Sequence, residues 1–210
     1  MVADSALAVI AGYLIGSIPF AYIASRLVKG IDIRRLGGGN VGATNVMREV
    51  GTAAGFAVFF ADIGKGTLAV LIAQWLDVSL LIVFISGFAA VVGHSWPVFL
   101  GFSGGRGGAT TIGVFFALVP VECAISFGVM VAVVLLTSNF RLAAGIGFML
   151  LPFIIWGFGG DFELIIYSIS LPLFTGVRAA PALIRSLRNP RERKSLIIDR
   201  DYKPWQRKRR

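Results

Sequence analysis

The sequence predicts an all-α integral membrane protein of about seven spanning helices, N-terminus outside and C-terminus cytoplasmic. Of its 210 residues 56% are hydrophobic and only 15% charged, with a mean hydropathy of +0.81, whereas a soluble domain carries about a quarter charged residues. Apolar stretches cover residues 6–28, 53–76, 78–100, 108–136, 142–158 and 162–184, and a spanning helix needs about 20. Arginine and lysine gather at alternate ends of these stretches, acids at the others.

The stretch 6–28 carries Asp4 near its start and no basic segment before it, and it runs into a glycine loop instead of a small-residue cleavage site. It is expected to be a first span, not a signal peptide. The stretches 53–76 and 78–100 read as the next two spans. The stretch 108–136 is too long for one helix of ordinary length and contains Pro120 and Glu122. Read as one span, it gives six in total and puts the basic first loop and the basic C-terminal end on opposite faces. Read as two, it gives seven, and Lys29, Arg34, Arg35, Arg48, Arg106, Arg141 and the tail share the cytoplasmic side, as the positive-inside tendency requires. Asp4, Asp77, Glu122, Asp161 and Glu163 then lie outside. The two halves are expected to run roughly 13 to 15 residues each, short enough to tilt, to be reentrant or to sit in thinned membrane.

The last two stretches complete the membrane domain, residues 1–184, followed by a basic cytoplasmic tail, 185–210. Residues 178–210 hold twelve of the twenty Lys and Arg. Basic residues beside a final span are worth roughly 1 kcal/mol each near anionic lipid, so the net charge of +9 points to membrane and not to nucleic acid. Cys123 is the single cysteine, which excludes an intramolecular disulfide. The pairs Gly12/Gly16 and Gly51/Gly55 have the small-xxx-small spacing of close helix packing.

Two glycine-rich segments interrupt this pattern: residues 37–45 (GGGNVGATN) and 101–110 (GFSGGRGGAT). Dense glycine lets backbone approach a ligand closely, and clustered N–H groups beside an arginine suit a phosphate or carboxylate. Both segments fall on the cytoplasmic side of the seven-span arrangement and read as two walls of one anionic site. In the first, Asn40, Thr44 and Asn45 supply neutral donors and Arg48 follows as a forked one. Thr44 or Asn45 also reads as the cap of a helix beginning near Val46. In the second, Gly104, Gly105, Gly107 and Gly108 surround Arg106, which equally reads as an ordinary cytoplasmic arginine. His94, the only histidine, precedes this loop and suits phosphate orientation or acid–base chemistry. Asp62 and Lys65, three residues apart within a span, read either as a structural ion pair or as a functional intramembrane site, with proton transport as the sharper version. One His and one Cys do not build a zinc site, and the GxxxxGK[ST] phosphate loop is absent.

Residues 31–48 (IDIRRLGGGNVGATNVMR) and 93–110 (GHSWPVFLGFSGGRGGAT), with 16–20 (GSIPF) and 62–66 (DIGKG), closely resemble the bacterial acyl-phosphate:glycerol-3-phosphate acyltransferase family. The resemblance runs from the N-terminus to about residue 140. It implies a seven-span enzyme of the bacterial cytoplasmic membrane, with its active site on the cytoplasmic face, that moves a fatty acyl group from acyl phosphate to the sn-1 hydroxyl of glycerol 3-phosphate. The products are lysophosphatidic acid and phosphate, in the first acylation of phospholipid synthesis. No cofactor, metal or acyl-enzyme is implied; the partners are glycerol 3-phosphate, acyl phosphate and membrane lipid.

Carried over by resemblance, His94, Arg106 and Arg48 are the catalytic candidates, and Gly38, Gly39, Asn40, Thr44, Asn45, Gly104, Gly105 and Gly107 the phosphate-binding ones. Asp62, Lys65, Arg141 and Arg178 are further candidates. The family's first loop usually reads GSGN and its second GGKG; here Gly38 replaces the serine and Arg106 the lysine. Near 139–142, where the family has a serine, Arg141 stands, and Arg178, Pro181 and Arg185 occupy the region of a closing His-Asn-Arg-Leu motif. These departures admit a weakened or inactive paralogue that binds phosphorylated lipid precursors as the alternative to a working enzyme, ahead of a small-anion transporter.

Overall fold

The structure, a computed structural model, describes residues 2–188, and every regular element among them is helical. The tail beyond 188 lies outside the described residues. Six segments are long and apolar enough to cross a bilayer, and Gly108–Leu118 is a shorter apolar helix. The chain divides into two compact units at Pro120.

The first unit opens with α1 (Val2–Gly16) and α2 (Phe20–Lys29). The expected first span is therefore one apolar segment with a break at Ser17–Pro19. Pro19 supplies no N–H and disfavours helical backbone at Ile18, so the ladder stops there. The second piece ends at Gly30, whose left-handed backbone (φ 68°) donates its N–H to the Arg26 carbonyl at 3.0 Å, a conformation glycine adopts without strain. A 3-10 turn (Ile33–Arg35) leads to the short α3 (Ala43–Glu49), then to α4 (Thr52–Trp75) and α5 (Leu80–Ser95). A second 3-10 turn (Val98–Leu100) precedes α6 (Gly108–Leu118).

Missing side chains decide how these helices cross. A Cβ on Gly12 would strike Ser86, one on Gly16 the Ala90 backbone, and one on Gly93 the Tyr13 carbonyl, so α1 and α5 meet backbone to backbone, as small residues allow in lipid. Gly66 lies against the Thr110 carbonyl and Gly113 against that of Ile63, which seats α6 on α4. Two hydroxyls tighten the set. Ser86 Oγ lies 2.9 Å from the Ala8 carbonyl and 3.2 Å from that of Ala69, and Thr67 Oγ1 donates to Gly113 O at 2.8 Å. The Gly51/Gly55 pair does not cross two spans: Gly55 packs on Met47 of α3, closing a tight hairpin.

The stretch 108–136 is broken at Val119, as Pro120 leads the sequence to expect, but unequally. α6 has 11 residues and α7 (Pro120–Thr137) has 18. Pro120 begins α7, where its missing N–H costs nothing, and Glu122 sits favourably in the first turn. α6 rises about 17 Å, half a bilayer, and none of its residues is exposed. It needs no thinned membrane.

The second unit holds α7, α8 (Phe140–Gly157) and α9 (Phe162–Arg188). Ser126 Oγ donates to Gly147 O at 2.8 Å, and Gly147 packs on Met130. Asn139 caps α8, its Oδ1 accepting from the Arg141 and Leu142 amides at 3.0 and 3.1 Å. Trp75 and Trp156, 83% and 72% exposed near the ends of α4 and α8, suit the headgroup level.

Candidate active site

The first glycine loop is a self-tied turn. At its entry Asp32 accepts from the Arg34 amide at 3.1 Å, from Nε at 3.0 Å and from Nη2 at 2.7 Å. This forked hydrogen bond holds the carboxyl down at about 2. Gly37 and Gly39 have φ of 56° and 68°, and the Asn45 side chain fills the space where a Gly37 Cβ would be. Asn45 Nδ2 lies 3.3, 3.1 and 3.0 Å from the carbonyls of Ile33, Leu36 and Asn40. Its amide is thereby committed to holding the loop. α3 starts at Ala43 behind an extended Gly42, with no side-chain cap, so the capping alternative for Thr44 and Asn45 does not hold. Asn40 and Thr44 are half-buried and Arg48 is exposed on the last turn of α3.

The second loop is held by what precedes it. After α5 the Trp96 carbonyl accepts from the Tyr13 hydroxyl at 2.9 Å. Gly101 and Phe102 both take left-handed backbone, at φ 60° and 58°. The chain then returns over the end of α5: Gly105 N donates to His94 O at 3.0 Å, and Gly104 lies against the carbonyls of His94 and Ser95. Gly107, at φ 88°, turns the chain into α6, whose first amides have no partner within the helix and carry partial positive charge. Arg106 is half-buried between these glycines.

The two loops meet. A side chain on Gly105 would strike both His94 Nε2 and the Val41 carbonyl, the latter at 2.7 Å. Glycine at 105 thus permits contact between loop 1, loop 2 and the histidine. Gly38, by contrast, has open space around its missing Cβ and ordinary backbone.

Beneath this junction lies a buried polar cluster. Lys65 Nζ is 2.8 Å from Asp62 Oδ1, and His94 Nδ1 is 3.5 Å from the same oxygen. Lys65 also donates at 3.2 Å to the Ile18 carbonyl, which accepts from the Phe20 amide at 3.1 Å at the Pro19 break, and lies 5.8 Å from the Phe20 ring centroid. A small cleft lies here, lined by Ser17, Ile18, Phe20, Val41, Asp62, Lys65 and His94 among others. Irregular backbone at membrane depth is tolerated where it lines such a cavity. The structure therefore brings together His94, Asp62, Lys65, Gly105 and the first loop. Sequence reasoning missed Ser17, Ile18 and Phe20 as part of this surface; a Ser-x-Pro inside an apolar span is the signal that marks them. Arg141 and Arg178 belong to the second unit, where Arg141 Nη1 reaches Ser186 Oγ at 3.4 Å and Arg178 lies in α9. Among the described residues no group of His, Cys, Asp and Glu could hold a metal ion.

Residues 6–189 match the family model described as glycerol-3-phosphate acyltransferase. The chain is 40% identical over 200 residues to glycerol-3-phosphate acyltransferase 1 of Dehalococcoides mccartyi, covering 92% of this chain and 96% of that one. It is 41% identical over 162 residues to glycerol-3-phosphate acyltransferase 2 of Moorella thermoacetica, covering 77% and 83%. Among solved structures it resembles PlsY (YgiH), an integral membrane glycerol 3-phosphate acyltransferase in its glycerol 3-phosphate form, with a TM-score of 0.80, 35% identity and coverage of 88% and 92%. With the family model matching residues 6–189 and with the fold and nearly the whole length shared with these relatives, the chain belongs to the glycerol-3-phosphate acyltransferase family.

Proposed function

We propose that the chain transfers a fatty acyl group from acyl phosphate to the sn-1 hydroxyl of glycerol 3-phosphate where its two glycine loops meet, on the cytoplasmic face of a bacterial membrane. The observation that carries this reading is the Gly105 junction, which places backbone of both loops against one histidine. Each substrate brings a phosphate, and the two loop segments carry groups suited to anions: Arg48, Arg106, the glycine-loop amides and the N-terminus of α6, with Asn40 and Thr44 as neutral partners.

The hydroxyl oxygen attacks the acyl carbon, the new ester C–O bond forms, and the bond from that carbon to the phosphate oxygen breaks. Inorganic phosphate leaves with the electron pair, and the hydroxyl proton goes to a phosphate oxygen. The donor is already activated, so orientation and charge stabilisation carry the catalysis. Arginine stays protonated and serves as a clamp, not a base. His94, with one nitrogen toward Asp62 and the other against Gly105, serves to orient loop 2, while Asn45 holds loop 1.

The topology that accompanies this reading has seven membrane segments, α6 being the short one, with the N-terminus outside, a membrane domain over residues 1–184 and a basic cytoplasmic tail over 185–210. Arg141 and Arg178 are the candidates from the second unit for a substrate phosphate. Purified protein in lipid or detergent should release phosphate from acyl phosphate only when glycerol 3-phosphate is added, with lysophosphatidic acid formed in equal amount. Open space at Gly38, where the family usually carries a serine hydroxyl, supports a second reading as a weakened paralogue. Binding of both substrates without phosphate release would establish that reading instead.

A further inference from the structure

Asp62 and Lys65 lie one helical turn apart in α4, with side chains only 3% exposed. Removing one member of a buried ion pair is strongly destabilising, yet the intact pair often stabilises a fold no better than apolar residues of the same size. A pair that served only to hold helices in register would be satisfied by its own contact. Here one carboxylate oxygen is shared: Asp62 Oδ1 takes Lys65 Nζ at 2.8 Å and faces His94 Nδ1 at 3.5 Å. Lys65 is fixed from the other side by the Ile18 carbonyl at 3.2 Å.

The far edge of the imidazole is what loop 2 rests on. Any Cβ at Gly105 would collide with His94 Nε2, and the Gly105 amide is bonded to the carbonyl of the same histidine. A continuous chain of contacts thus runs from the break between α1 and α2, through Lys65, Asp62 and His94, to Gly105 and Val41. A carboxylate facing Nδ1 selects the tautomer with its proton there and fixes the plane of the ring. Rotation of the ring would move the loop that carries Arg106.

We propose that Asp62 and Lys65 are positioning residues for acyl transfer, acting through the His94 ring to hold the junction of the two glycine loops. This rests on the reading that the loops hold substrate phosphate.

The test is the double variant Asp62→Leu/Lys65→Met, which removes both charges and leaves neither unpaired. It is expected to melt near the wild-type temperature in detergent while kcat/KM for acyl phosphate falls about 100-fold, the scale of a 1 Å misplacement. Lys65→Arg, which can still donate to Asp62 and to Ile18, is expected to keep most activity. Because His94 is the only histidine, its imidazole 15N spectrum reports this site alone: the wild type should show the Nδ1–H tautomer, and the double variant a mixture. Wild-type kinetics in the double variant, alongside a large loss in Arg106→Ala, would overturn the positioning role and leave the loop reading intact. Wild-type kinetics in Arg106→Ala and Gly105→Ala would overturn the loop reading itself. If the double variant does not fold, the wild-type spectrum decides, and a predominant Nε2–H tautomer overturns the proposal.

Discussion

The two glycine loops reach the same junction by opposite means. Loop 1 is tied by its own side chains: Asp32 grips Arg34 at its entry, and the Asn45 amide gathers the carbonyls of Ile33, Leu36 and Asn40. Loop 2 is turned by backbone bonds, Phe102 N to Pro97 O at 2.9 Å and Ser103 N to Leu100 O at 3.4 Å, and is laid on the end of α5, on His94, and through it on the buried Asp62 and Lys65. One loop is self-contained, whereas the other is registered by the helix bundle. Damage within loop 1 should therefore stay local, and loop 2 should answer to changes deep in the membrane unit.

The largest expected effect breaks loop 2 at its charge. Arg106→Ala should lower kcat by about 100- to 1,000-fold, the loss typical of removing one donor from a developing anion, measured as phosphate release at saturating glycerol 3-phosphate. Arg106→Lys should keep much of the rate, since the family's second loop usually carries lysine. Next comes the contact that joins the loops: Gly105→Ala places a methyl against His94 and the Val41 carbonyl, and a shift of about 1 Å in loop 2 should cost roughly 100-fold. A Gly105→Ala enzyme with unchanged kinetics would show that the junction is not the site.

Loop 1 offers a test of locality. Asn45→Ala removes the side-chain donor shared by three carbonyls; those of Ile33 and Leu36 keep the amides of Leu36 and Gly39, and that of Asn40 loses its tie, a loss of about 1–3 kcal/mol for a buried group left unsatisfied, seen as a lower melting temperature together with weaker substrate use. Asn45→Asp should be worse than Asn45→Ala, because it turns an acceptor toward those carbonyls. In both, the His94 nitrogen spectrum should remain wild type. A smaller effect, in the favourable direction, is expected for Gly38→Ser: the backbone is ordinary and the surrounding space open, so a hydroxyl can be added without displacement, and phosphate-release kinetics should hold or improve. The smallest concerns pH. The folded carboxyl of Asp32 sits at about 2 against about 3.9 unfolded, so its contribution is complete above pH 4 and is lost as pH falls toward 2. Melting temperatures over that range should fall less steeply in Asp32→Asn.

Much of this was legible in the sequence because it rests on local chemistry. Pro120 marks a helix break that charge asymmetry independently requires, and Gly12 and Gly16 have a spacing that needs another backbone close by; α5 supplies it. Other features are tertiary and leave no local signature. Nothing in residues 62–65 indicates that the histidine 29 positions beyond Lys65 shares the same carboxylate oxygen. The break at Pro19 is hidden by unbroken hydropathy, since Val2–Lys29 remains apolar enough to span. From its residue type Asn45 reads as a ligand donor. Its inward orientation depends on how loop 1 folds, and at the level of sequence a phosphate-binding asparagine and a loop-holding one look alike.

α6 is only 11 residues long and has no exposed residue. During biogenesis so short a segment lacks the length for independent insertion. It has to enter by docking on α4, with Gly66 and Gly113 as the seats. A bulky residue at either glycine would strike the facing carbonyl, of Thr110 or of Ile63, and unseat the segment into which the second loop runs.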